Sequence, residues 1–179
     1  MVGSMSLPIV ALIACLASAR AAPMPTRPVT AQVGVMGEFL FHPGGFVGVE
    51  ARVLGRGRGE LLVAGNVASY VHVRNHVGLM IWPELGGRVR VGRRVGLEAF
   101  GGVGYLHTFL AAPLYTIDDG GTVHRTRDRG RASFMPTGSV GVSVATKHVI
   151  PFFRIQTFGQ YPFNHSMLLH FAVLVGVRL

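Results

Sequence analysis

The residues best suited to chemistry in this chain are a histidine–serine pair, a scatter of further histidines and a set of charged residues at alternating positions. His165-Ser166 is the first candidate. An imidazole that accepts the hydroxyl proton turns serine into a nucleophile for acyl transfer. Adjacent residues on a strand point to opposite faces, however, and no third residue stands where it could orient the imidazole. The pair reads instead as the polar start of a strand after a loop, so no catalytic residue is assigned. His42, His72, His76, His107, His124, His148 and His170 show no metal-ligand spacing. His72 and His76 flank a turn and could approach each other. Gly57-Arg58-Gly59 is a turn and not a phosphate-binding loop. No metal and no cofactor is expected.

The charged set is more informative. Glu38, Glu50, Arg52, Glu84, Arg88, Glu98, Arg154, Gln156 and His170 recur on one face of successive segments, together with Gln32, Asn66, Tyr70, Ser139, Ser143 and Gln160. Positions of this kind must be held by strands, in which every second side chain shares a face. Between 30 and 178 the period is two and helix signals are absent. Eight segments emerge, at 30–41, 45–55, 60–73, 76–91, 95–110, 131–146, 149–160 and 166–178. In 76–91, Val77, Leu79, Ile81, Leu85, Val89 and Val91 point one way, and Met80, Trp82, Glu84, Arg88 and Arg90 the other. In 166–178, Met167, Leu169, Phe171, Val173, Val175 and Val177 oppose Ser166, His170, Gly176 and Arg178.

Which face is outside follows from energetics. A lipid-facing Arg at mid-depth costs roughly 2–4 kcal/mol, so the apolar face belongs outside and the charged face inside. A lipocalin-type barrel would invert this arrangement. Composition agrees. The chain has 179 residues, 49% hydrophobic and only 14% charged, against about 25% charged in a typical soluble domain. The fold expected is an all-β, eight-stranded antiparallel up-and-down transmembrane β-barrel.

Loop lengths supply an independent check, because outer-membrane barrels alternate short periplasmic turns with longer outer loops. Residues 55–59, 92–94 and 147–148 are short. The longest connection, 111–130, carries Asp118-Asp119-Gly120-Gly121 and the charged run His124 to Arg129. It is expected outside the cell, as a site for an extracellular ligand, with both termini periplasmic. Phe39, Phe41, Phe46, Tyr70, Tyr105, Phe109, Tyr115, Phe134, Phe158 and Tyr161 near strand ends are expected to form interfacial girdles.

The N-terminus has a different character. Leu7 to Leu16 is an apolar core of signal-peptide length, and Ala17-Ser18-Ala19-Arg20-Ala21-Ala22 follows it with cleavage-site spacing. Residues 1–22 are expected to be a signal peptide, 23–29 an extended linker and 30–179 the barrel. Cys15, the only cysteine, excludes a disulfide framework; it follows Leu12-Ile13-Ala14, as in a lipidation box, but a discarded signal-peptide residue is the preferred reading. The net charge of +9 comes from 16 arginines and Lys147 against eight acidic residues. The arginines are dispersed and not clustered, which argues for contact with anionic lipid or lipopolysaccharide and against nucleic acid.

The stretch Gly96-Leu97-Glu98-Ala99-Phe100-Gly101-Gly102-Val103-Gly104-Tyr105-Leu106-His107, with Pro151-Phe152-Phe153-Arg154 and Gln160-Tyr161-Pro162-Phe163-Asn164, resembles small outer-membrane β-barrel proteins of Gram-negative bacteria, the OmpA-like group. The resemblance implies a Gram-negative outer membrane and insertion by the barrel-assembly machinery. The Glu/Arg set is similar to the internal salt-bridge network of such barrels. The function expected is a monomeric, non-enzymatic barrel with a plugged polar lumen and a structural or binding role through its outer loops. The alternatives are an envelope-lipid-modifying enzyme, like the small-barrel lipid A deacylases, with His165 or Ser166 as the residue to test, and a narrow passive pore.

Overall fold

A computed structural model describes residues 28–179 except 57, 74, 127, 128 and 165. The proposed signal peptide, Cys15, most of the 23–29 linker and His165 lie outside the described residues.

Strand alternation runs through the whole chain. The elements are β1 (Val29–Glu38), β2 (His42–Arg56), β3 (Gly59–His72), β4 (His76–Val91), β5 (Val95–Leu110), β6 (Leu114–Ile117), β7 (Val123–Thr126), β8 (Arg131–Val144), β9 (Ile150–Phe163) and β10 (Ser166–Arg178). Eight of them close into one antiparallel barrel in the order β1-β10-β9-β8-β5-β4-β3-β2. Closure pairs β1 with β10, from Gln32 opposite Arg178 to Glu38 opposite Ala172, so neither terminal strand is left with an open edge. Most strands run 13 to 16 residues, more than the roughly 9–11 that span a bilayer when tilted.

β3 shows why the ring closes this way round. Leu62, Ala64, Asn66, Ala68 and Tyr70 are buried, while Leu61, Val63, Val67 and Val71 between them are exposed. The same holds on β4, where Met80, Trp82, Glu84 and Arg88 are buried and Leu79, Ile81, Leu85 and Val89 exposed. Exposure of that many Val, Leu and Ile side chains costs water about 25 cal/mol per Å², and the surface is stable only against lipid. Inside, large rings pack onto glycines. A Cβ on Gly78 would lie 2.2 Å from the Tyr70 ring, and one on Gly86 would lie 2.2 Å from the Phe100 ring.

Four details differ from the sequence-based expectation. The first strand ends at Glu38, because Phe39 and Leu40 take left-handed backbone angles (φ 45° and 68°) and turn the chain back. Strand pairing begins at Val29, inside the segment expected to be linker. The 111–130 connection contains its own two-stranded hairpin, β6 with β7. Of the aromatic residues expected in girdles, Phe46, Tyr70 and Phe158 are buried in the lumen; they occupy inward positions of the alternation, which outranks nearness to a strand end.

Candidate functional site: a three-layered lumen

Read from the long-loop end to the short-turn end, the inward side chains follow one order on five strands. β4 runs from His76 through Met80 and Trp82 to Glu84 and Arg88; β1 runs from Glu38 through Met36 to Gln32. β2 runs from His42 through Phe46 to Glu50; β9 from Gln160 through Phe158 to Gln156 and Arg154; β10 from His170 through Ala172 and Leu174 to Arg178. Three layers result: an imidazole–carboxylate cup, an apolar septum and an ionic base.

The base is a closed charge network. Glu98 accepts both Nη1 and Nη2 of Arg178, at 2.9 and 2.6 Å, and the Nε–H of Arg88 at 2.8 Å. Arg88 also reaches Glu50 and, at 3.2 Å, Glu60. Arg154 pairs with Glu84, and the indole N–H of Trp82 donates to the same carboxylate at 3.2 Å. Arg90 pairs with Glu60. Glu50, Glu60, Glu84 and Glu98 thus face Arg88, Arg90, Arg154 and Arg178, with Arg52 a fifth guanidinium at the rim. Two guanidiniums also lie over rings, Arg154 at 4.2 Å from the Phe100 centroid and Arg178 at 4.4 Å from that of Phe152, an arrangement that favours a desolvated cation.

The septum is a buried cluster that includes Met36, Phe46, Met80, Trp82, Leu106 and Met135. Above it is an open cup of about 620 Å³, lined by Glu38, His42, His72, His76, Gln160 and His170 among others. The Glu38 carboxylate lies 2.8 Å from His170 Nδ1 and also contacts His42. The His170 ring stacks on Phe158, with centroids 4.7 Å apart. His42 stacks on His72 at 3.7 Å, and His72 lies 5.2 Å from His76; the approach of His72 and His76 expected from their turn is present. Tyr70 Oη is 3.3 Å from His76 Nε2. Among the described residues no three His, Cys, Asp or Glu side chains are arranged to hold a metal ion.

Of the predicted site residues, Glu50, Glu84, Arg88, Glu98 and Arg154 meet in the base, and Glu38 and His170 meet in the cup. Arg52 joins the base at its short-turn rim, partly exposed and 3.6 Å from Glu60. Gln156 is buried opposite Ser139 and Ala172, yet its side-chain amide hydrogen-bonds to no described residue. Ser166 donates to the Phe163 carbonyl at 3.4 Å. Missing from the predicted network were Arg178, which is wholly buried, and the Glu60–Arg90 pair. Period two did place Arg178 inward, but nothing in a penultimate residue says that it lies deep in a network.

An outward belt of valine and leucine, a lumen of paired charges and a closed antiparallel ring of eight strands together define the fold of a small outer-membrane β-barrel. Structures of that class are similar to this one. Neisserial surface protein A matches with a TM-score of 0.57 at 14% identity, covering 84% of this chain and 93% of that one. The outer membrane enzyme PagL matches with a TM-score of 0.50 at 11% identity, covering 84% and 97%. The N-terminal barrel domain of Pseudomonas aeruginosa OprF overlaps more loosely, at 0.41 with 16% identity, covering 84% and 96%. No protein-family model matches the sequence, and no curated protein matches it.

Proposed function

We propose that this chain is exported to the outer membrane of a Gram-negative bacterium and works there as a monomeric, non-enzymatic, plugged barrel. Residues 1–22 would direct export, the barrel-assembly machinery would insert the mature chain, and both termini and the short turns would face the periplasm. Contact with lipopolysaccharide and other membrane lipids follows from the apolar belt, and the cup with the 111–130 hairpin forms the binding face toward the outside.

The observation that carries this reading is the layering of the lumen. An apolar septum above a network of paired charges offers an ion no continuous polar path. Planar-bilayer recordings of the refolded protein test it: silence is expected, and a resolved single-channel step overturns the plug. The fold itself is compatible with catalysis, but Ser166 meets only a backbone carbonyl. Lipid A mass spectra from cells with and without the protein should show the same acyl pattern; a lost acyl chain would replace the binding role with an enzymatic one.

A further inference from the structure

The outer wall is not uniform near the short turns. Across β8, β9, β10 and β1 it is indented by an apolar groove of about 670 Å³, lined by Val33, Val142, Val144, Pro151, Phe153 and Val177 among others. Short valine side chains flanking Phe153 leave the depression. Val144 and Pro151 stand on either side of the β8–β9 turn. That turn is closed by Thr146, whose backbone N–H donates to the Val149 carbonyl at 3.1 Å and whose hydroxyl accepts the Val149 N–H at 3.2 Å. It therefore holds Lys147 and His148 out into solvent. The neighbouring β4–β5 turn is tied to it, since Ala145 N–H donates to the Arg94 carbonyl at 2.7 Å.

Arg93, Arg94 and Lys147 thus stand on two tied turns at the same end of the barrel, Lys147 on the turn that joins β8 and β9, two of the groove's own strands. Among the described residues none of the three forms an ion pair, because all five glutamates belong to the lumen and Asp118 and Asp119 lie on the distant hairpin. A wall depression that accepts a hydrocarbon chain, capped at the interface by cations without carboxylates, matches one amphiphile: a lipid with an anionic phosphate headgroup.

We propose that this groove is a binding site for an anionic phospholipid, with an acyl chain along Val33, Val144 and Val177 and the phosphate between Arg94 and Lys147. The proposal rests on the chain being a membrane barrel, and the test separates the two claims.

Purified protein in detergent is given equal amounts of dioleoyl phosphatidylglycerol and dioleoyl phosphatidylcholine, and retained lipid is read by native mass spectrometry. Two interfacial cations near a surface should favour the anionic lipid by roughly ten- to thirtyfold. R94Q/K147Q, which alters only turn side chains, should bring the two lipids to parity. Val177→Phe, which fills the groove, should lower retention of both. Equal retention by the unaltered protein, or an unchanged preference in R94Q/K147Q, overturns the site. A lipid-free dimer that Val177→Phe dissociates also overturns it, by showing the groove to be a seam between copies. A protein that stays dispersed with no detergent present would sink the membrane reading itself, whatever lipid it holds.

Discussion

The two polar ends of the lumen solve the same problem with different chemistry. The base pairs guanidinium with carboxylate, bidentate at Arg178–Glu98, the geometry of the strong charge-assisted hydrogen bonds. The cup surrounds a single carboxylate, Glu38, with imidazoles. The base is enclosed by aromatic rings and the septum, while the cup opens to solvent. One end is a packed ionic plug, the other a polar surface open to solvent. A closed charge network resists change because removing one member strands the others.

The largest effect should come from the base. Glu98→Ala would remove the bidentate acceptor of Arg178 and one acceptor of Arg88, leaving Glu50 to serve both, and should destabilise the barrel by about 3–5 kcal/mol, read as a lowered urea midpoint for the loss of heat-modifiable gel mobility. An unchanged midpoint would mean that the network does not hold the lumen. On the outer wall Val67→Arg puts a cation in the lipid belt and should cost roughly 2–4 kcal/mol in the same assay; a smaller loss than that of a Val67→Thr control would reverse the assignment of inside and outside.

The cup should be more forgiving. His170→Ala removes one of two partners of a buried carboxylate and should cost about 1–3 kcal/mol, because His42 remains on Glu38. A loss as large as that of Glu98→Ala would erase the contrast between the two ends. The smallest effect concerns the hairpin. Asp118 accepts the backbone N–H groups of Thr122 and Gly120 and lies 3.1 Å from His124 Nε2. These contacts, the Thr122 amide first, hold its carboxyl below its ordinary value of 3.8. A depressed folded value means that the contribution is full above 3.8 and is lost as pH falls through the lower, folded value. Amide exchange at Gly120 and Thr122 should therefore stay slow on acidification to pH 3.8 and quicken only below it, while barrel amides stay protected. Quickening already at a higher pH would show that Asp118 does not order the turn.

Much of this was legible in the chain itself. Alternation on 76–91 and 95–110 located β4 and β5 to the residue. The collection of Glu and Arg on one face, set against the cost of charge in lipid, decided which face is the lumen. That reasoning works because strand geometry is local: period two is a property of the backbone and needs no partner. The backbone departs from period two at the bulge between Arg52 and Leu54, beyond the last inward side chain of β2. Phe46 and Phe158 look like rim residues along the strand but face inward across the barrel, Phe46 against Gly34 and Gly176 and Phe158 against the His170 ring.

By itself, then, the sequence determined the number of barrel strands, their facing, and which end has the one long connection, because each is written in short-range pattern and length. Only the tertiary structure decided which charge meets which. Arg178 and Glu98 are 80 positions apart, and Glu38 and His170 are 132 apart. Closure and shear of the ring set those meetings, and they turn an alternating pattern into a cup, a septum and a base. The grooved wall is decided in the same way, since its lining comes from four strands that become neighbours only when β1 closes on β10.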